Sequence, residues 1–123
     1  MKLDRNFGAF LNRKRKEKHI TMLELGQKLD FTVPYLCDIE KNRRNPPEFA
    51  KLEQIAEILE LTDEERTTMF DLAGEDRNTI APDLPVYIMN RDYVATALRT
   101  ARDMGAGEAE WNRFIEDLKK REG

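Results

Sequence analysis

These 123 residues predict an all-α chain. Apolar residues recur at spacings of three and four along most of the sequence, which is the repeat of one helix face, and no segment shows the two-residue alternation of a half-buried strand. Helix starts are marked by side chains made for the purpose. Thr21 with Glu24 and Thr62 with Glu65 each form a capping box, in which each side chain satisfies a free backbone N–H.

The elements follow in order. A first helix runs from about Asn6 to Lys18, with Phe7, Phe10, Leu11 and the stem of Arg15 facing inward and Lys14, Lys16 and Lys18 outward. A second opens at Thr21 and reaches about Leu29, burying Leu25 and Leu29. Gly26 within it costs roughly 1 kcal/mol of helix propensity against alanine, so it predicts a close crossing by a second helix. Asp30 and Phe31 make the turn, and Thr32 is the next N-cap. Pro34 falls in the first turn of the third helix, where its missing N–H is not needed. Leu36, Ile39 and Tyr35 face the core there, and Val33, Cys37, Asp38 and Lys41 face away. Two short helices, a tight turn and the basic tail Lys41, Arg43 and Arg44 are the layout of a helix-turn-helix that reads DNA.

Asn45-Pro46-Pro47 predicts a fourth helix with proline in its first turn, followed by Phe49, Leu52, Ile55, Ala56 and Leu59 at helical spacing. The fifth starts at Thr62, buries Met69, Phe70, Leu72 and Ala73, and is expected to stop at Gly74. Residues 1–74 then form one domain, 75–84 a linker or ordered loop, and 85–123 a helical extension. In the extension Asp83 caps a short helix opened by Pro85. Asp92 or Asn90 caps another running to Met104, where Gly105 and Gly107 break it, and Glu108 to Arg121 is the last. Trp111, Phe114, Ile115 and Leu118 form one apolar stripe there. It either packs on Tyr93, Leu98 and the first domain or serves as a dimer surface.

The segment Ile20–Pro47 resembles the helix-turn-helix of the Xre/Cro-CI regulators, the phage-repressor-like family. Ile20-Thr21, Glu24-Leu25, Lys28-Leu29, Phe31-Thr32, Tyr35-Leu36, Ile39-Glu40, Arg44 and Pro46 stand where that family's pattern expects such residues. The resemblance runs from about Phe7 to Gly74 and implies a five-helix domain. It implies that Arg15 and Glu40 form a structural ion pair, that Val33, Pro34, Tyr35 and Asp38 read bases, and that Thr21, Met22, Lys41, Arg43 and Arg44 contact phosphates. Met22 stands where the family usually has glutamine, so one phosphate contact is weakened. Val33 and Pro34 cannot pair with base edges by hydrogen bonds, but they can touch thymine methyl groups. His19 and Asn42 replace two family glycines at positions that want a left-handed backbone, which both residue types tolerate.

Charge agrees with this layout. Residues 1–51 hold 12 Lys/Arg against 7 Asp/Glu, a net +5, whereas 52–123 hold 9 against 17, a net −8. The basic half is the one to face nucleic acid. The single cysteine excludes an internal disulfide and fits a reducing cytoplasm. No apolar run is long enough for a membrane, and the N-terminus has no signal-peptide pattern. With one histidine and no glycine-rich phosphate loop, no catalytic residues, metal ligands or cofactor are expected. His19 reads as a turn residue and Cys37 as an inert thiol rather than a redox switch. The Arg13–Lys16 run is either a DNA contact or a solvated face.

The expectation is a sequence-specific DNA-binding regulator, a cytoplasmic homodimeric repressor on a palindromic operator in double-stranded DNA. The alternative is an antitoxin-like or other protein-interaction module that holds a partner through its acidic C-terminal helices, with DNA binding secondary.

Overall fold

The structure, a computed structural model, describes residues 4–121. All regular structure in them is helical, as the periodicity predicts: α1 (Phe7–Glu17), α2 (Met22–Leu29), α3 (Val33–Glu40), α4 (Phe49–Ile58), α5 (Asp63–Asp76), α6 (Asp83–Ile88), α7 (Asp92–Met104) and α8 (Glu108–Lys120). The chain divides into two compact units, one ending at Val86 and the other starting at Tyr87.

In the first unit α1 packs on α3 and α5, and α2 packs on α3 and α4. Their apolar faces meet in one core, in which Phe7, Phe10, Leu25, Leu36, Ile55 and Met69 are almost wholly buried. Each such side chain stabilises the fold by roughly 1.5–3 kcal/mol relative to exposure. The caps explain where the helices begin. Asn6 accepts from Ala9 N–H, Thr32 accepts from Tyr35 N–H, and Thr21–Glu24 and Thr62–Glu65 form complete capping boxes.

One device ends each of α1 to α5. A residue in the left-handed region (His19, Asp30, Asn42, Glu60 or Asn78, each with φ between 52° and 61°) reverses the chain. The next N–H then bonds back to a carbonyl inside the helix: Ile20 to Arg15, Phe31 to Gly26, Arg43 to Asp38, Leu61 to Ala56 and Thr79 to Gly74.

Five local expectations need correction. Asp83 does not cap a helix opened by Pro85; it is itself the first residue of α6. Gly74 does not stop α5; the helix continues to Asp76, and Asn78 supplies the reversal. Pro46 and Pro47 lie buried ahead of α4 rather than in its first turn, and α4 starts at Phe49 after Glu48, which makes no side-chain cap bond. The neighbour crowding Gly26 is the Phe31 carbonyl, 2.7 Å from where a Cβ would sit, so it is the turn that needs the bare backbone and not a second helix. At α7 neither Asp92 nor Asn90 caps. Asn90 takes a left-handed backbone, Arg91 holds the N-cap position without a side-chain bond, and Asp92 is already helical. In the stretch 75–84, Ala81 joins the core of the first unit.

The second unit is built differently. No residue of α7 or α8 is buried. Trp111, Phe114, Ile115 and Leu118 remain 38–52% exposed, with Trp111 and Phe114 in edge-to-face contact at 6.1 Å. Gly105 closes α7 in the left-handed region. The helices flank an apolar groove of about 500 Å³ lined by Tyr93, Val94, Leu98, Trp111 and Phe114.

Candidate nucleic-acid interface

The interface is built from its scaffold outward. The α1–α3 crossing is close because Gly8 has no side chain: a Cβ there would lie 2.4 Å from the Ile39 carbonyl oxygen. Further along α1, the guanidinium of Arg15 meets Glu40 as a fork, Nε donating to Oε2 at 2.7 Å and Nη2 to Oε1 at 3.0 Å. Its remaining nitrogen, Nη1, donates to the Ile20 carbonyl at 3.0 Å, and Asn12 adds a 2.8 Å bond to Glu40. The pair is therefore buried with its acceptors shared, the condition under which an ion pair in low dielectric holds its place. Hydrogen bonding to Glu40 holds the Arg15 guanidinium above its ordinary pKa, against the opposing effect of burial. These bonds fix α1, the chain entering α2, and the end of α3 to one another. Sequence reading did not find Gly8, Asn12 or the Ile20 carbonyl, although Asn12 lies three residues from Arg15 on the same helix face.

On that scaffold α3 buries Leu36, Ile39 and Glu40 and leaves Thr32, Val33 and Pro34 exposed. Cys37 and Asp38 are half-buried. Lys41, Asn42, Arg43 and Arg44 follow, all exposed. Asp38 lies 3.7 Å from Arg43 and 3.8 Å from Arg44, too far for hydrogen bonds but close enough to hold both guanidinium groups beside the exposed face of α3. Arg44 also lies over the ring of Tyr35 at 5.0 Å, and Tyr35 meets Phe31 edge-on at 4.8 Å. On the far side Lys51 stands 5.3 Å over Phe31 and donates to the Leu29 carbonyl at 2.6 Å, satisfying one of the last acceptors of α2. Tyr35 is thus half-buried between Phe31 and Arg44.

In the first turn of α2, Thr21 accepts from Glu24 N–H and Glu24 accepts from Thr21 N–H, at 3.1 and 3.0 Å. Met22 turns its side chain against the core. Thr21, Lys41, Arg43 and Arg44 are exposed at the start of α2 and the end of α3.

The basic run of α1 has a third outcome besides DNA contact and solvated face. Arg13 donates to Asp4 at 2.7 and 3.1 Å and to Glu17 at 3.0 Å. Lys14 donates to Glu65 and Glu17. The hydrogen bond to Glu65 holds the Lys14 pKa above its ordinary value, and the same bond, with the Thr62 backbone, holds Glu65 below its own. Arg15 points into the core, so only Lys16 of the run is left fully exposed. Asp4 and Glu65 lie 9 and 51 residues from their partners in the chain, beyond what helical spacing can show.

A family model described as helix-turn-helix matches residues 11–65. Comparison with curated proteins gives no match. Among solved structures, a chain from a complex of SinR protein and SinI protein is similar to this one. It is 22% identical, with the alignment covering 94% of this chain and 97% of that chain, at a TM-score of 0.47.

Proposed function

From a helix-turn-helix of the Xre/Cro-CI type at residues 11–65 we propose that the chain is a sequence-specific transcriptional regulator, a dimeric repressor that occupies a palindromic operator. The observation that carries this reading is the exposed N-terminal face of α3, presented on a locked scaffold and followed by the exposed cations Lys41, Arg43 and Arg44.

In this reading α3 enters the major groove. Val33 and Pro34 touch thymine methyl groups, and Asp38 accepts from a cytosine amine. Arg43, Arg44 and Lys41 meet phosphates on one side of the groove, and Thr21 with the Met22 backbone meets them at the start of α2. Tyr35 joins the reading set beside Arg44, and Asp38 becomes free to accept as the Arg43 and Arg44 side chains turn from it to phosphates. A lone domain with so few polar base contacts would discriminate poorly among competing sites. Two copies joined through Trp111, Phe114, Ile115 and Leu118 would read two half-sites. Repression then follows by occupying the promoter.

The test is titration of DNA duplexes over a salt series. The wild-type chain should bind, and Arg43→Ala with Arg44→Ala should weaken binding. The slope of log affinity against log salt should become shallower by about 0.9 for each phosphate that is no longer neutralised. Unchanged binding by the double variant would rule out this docking mode.

The exposed apolar face of α7 and α8 also fits a second reading, an antitoxin-like protein-interaction module whose partner covers that face. A stable heterologous complex that is lost on Trp111→Asp, while DNA binding by the free chain stays weak and indifferent to sequence, would favour it.

A further inference from the structure

The loop that carries Arg43 and Arg44 has to be held at both ends to present them. Its first end is fixed by the left-handed Asn42 and by Arg43 N–H, which donates to the Asp38 carbonyl at 2.8 Å. Its second end is Pro46-Pro47, and proline has no N–H to donate. That end can be tied by main-chain hydrogen bonds only through its carbonyls, which require a donor from elsewhere in the fold. Arg77 supplies it: Nη2 donates to the Pro46 carbonyl.

The placement of Arg77 is itself fixed. It is the C-cap of α5, its N–H bonding back to Ala73 at 3.3 Å. Beside it Asp76 accepts from Phe7 N–H at 2.9 Å, tying the end of α5 to the start of α1. The guanidinium of Arg77 also lies 3.6 Å from Glu48, which precedes α4. Arg77 shares a polar recess of about 640 Å³ with Arg43, Arg44, Asn42 and Asn45. An arginine in such a recess can either touch a phosphate or hold the loop that does. Arg43 and Arg44 are 65% and 58% exposed, whereas Arg77 is only 32% exposed and engaged by Pro46 and Glu48.

We propose that Arg77, which lies beyond the matched segment 11–65, is a positioning residue for DNA binding. It fixes the Pro46 carbonyl and so delivers Arg43 and Arg44 to the phosphates already ordered. The inference rests on the DNA-binding reading above. Without the anchor the loop would still make its contacts, but it would have to be ordered during binding.

The experiment measures affinity for a mixed-sequence DNA duplex over a salt series, using the full chain and the variants R77Q, R77K, R43A/R44A and R43A/R44A/R77Q. R77Q should weaken binding about tenfold, the equivalent of ordering roughly one more residue on binding, with an unchanged salt slope. R77K, which keeps a cationic donor for the Pro46 carbonyl but on a differently shaped head group, should fall between R77Q and wild type. In the R43A/R44A background R77Q should cost less than about twofold, because the two arginines it positions are absent.

A salt slope shallower by about 0.9 in R77Q would make Arg77 a direct phosphate contact and overturn the inference. Equal losses in both backgrounds, or no loss with either R77Q or R77K, would overturn it as well. Should R77Q reduce the helical circular dichroism, R77K carries the same comparison. Absence of DNA binding by the wild-type chain is a separate outcome, which removes the functional reading together with the inference.

Discussion

Up to Val86, the side chains of Phe7, Phe10, Leu25, Leu36, Ile55 and Met69 are sealed from solvent. From Tyr87 on, Trp111, Phe114, Ile115 and Leu118 recur at the same helical spacing, yet none is buried. The period of a sequence pattern says which face of a helix is apolar and not what covers it. Five helices can enclose a volume among themselves. Two helices cannot, and a unit of fewer than about 40 residues ordinarily needs a partner, a metal or a disulfide to be stable. The lone Cys37 lies in the first unit, and no group of metal-ligating side chains occurs among the described residues. A partner over that apolar face is what the proposed pairing of two copies would supply.

Several variants test that contrast, and the largest effect belongs to the closed unit. Arg15→Ala leaves Glu40 buried without its cation, which should cost about 3–5 kcal/mol. The loss should appear in chemical denaturation as a lower midpoint for the first unit, together with weakened DNA binding, because the fork fixes α3 to α1 and to the chain entering α2. A cost below about 1 kcal/mol would mean that the pair behaves like a surface bridge.

The next effect belongs to the open unit. Trp111→Ala should weaken self-association by about 2–4 kcal/mol, as expected for a buried aromatic anchor, and should make the helical signal depend on protein concentration. Sedimentation over a dilution series reads it. Indifference of the association state to this variant would leave the apolar face to a different partner.

The smallest effect is a pH limb. Glu65 is held below the ordinary carboxylate range by Lys14, so its contribution to stability is complete above about pH 4.3 and fades as pH falls through its lowered value. Lys14 is raised, so its share persists at neutral pH and is lost only on the alkaline side, above about pH 10.4. Glu65 is about one-third exposed, so the pair should contribute under about 1 kcal/mol. Glu65→Gln should flatten the acid limb of the first unit by that amount and leave the helical signal of the second unit unchanged. An acid limb identical in the variant would assign it to other carboxylates.

Much of this could be read in the sequence wherever local chemistry decides the structure. Thr21 with Glu24 and Thr62 with Glu65 specify helix starts within four residues, and the apolar spacing specifies the buried faces. His19 and Asn42 do take the left-handed backbone, with φ of 57° and 61°. What could not be read depends on contacts between segments far apart in the chain. Pro46-Pro47 looks like a helix opening until burial and Arg77 pull it into an ordered strap 31 residues from its donor. Arg13 and Lys14 read as either DNA contacts or a solvated face until Asp4 and Glu65 are brought against them. Tyr35 reads both as a core-facing residue and as a base reader, and what decides its half-buried place is Phe31 and Arg44 against its ring. Gly8 carries no signal of its own, because nothing around it in the sequence tells that the end of α3 passes there.

One unit is proposed to read DNA and the other to set how two readers are spaced. The measurement that reaches this most directly is selection of bound sequences from a random DNA pool with the full-length chain. The prediction is an inverted repeat whose half-sites are about one helical turn apart, centre to centre. A bound pool with no enriched motif would contradict specific reading by α3, and a single unrepeated half-site would contradict the pairing of two copies.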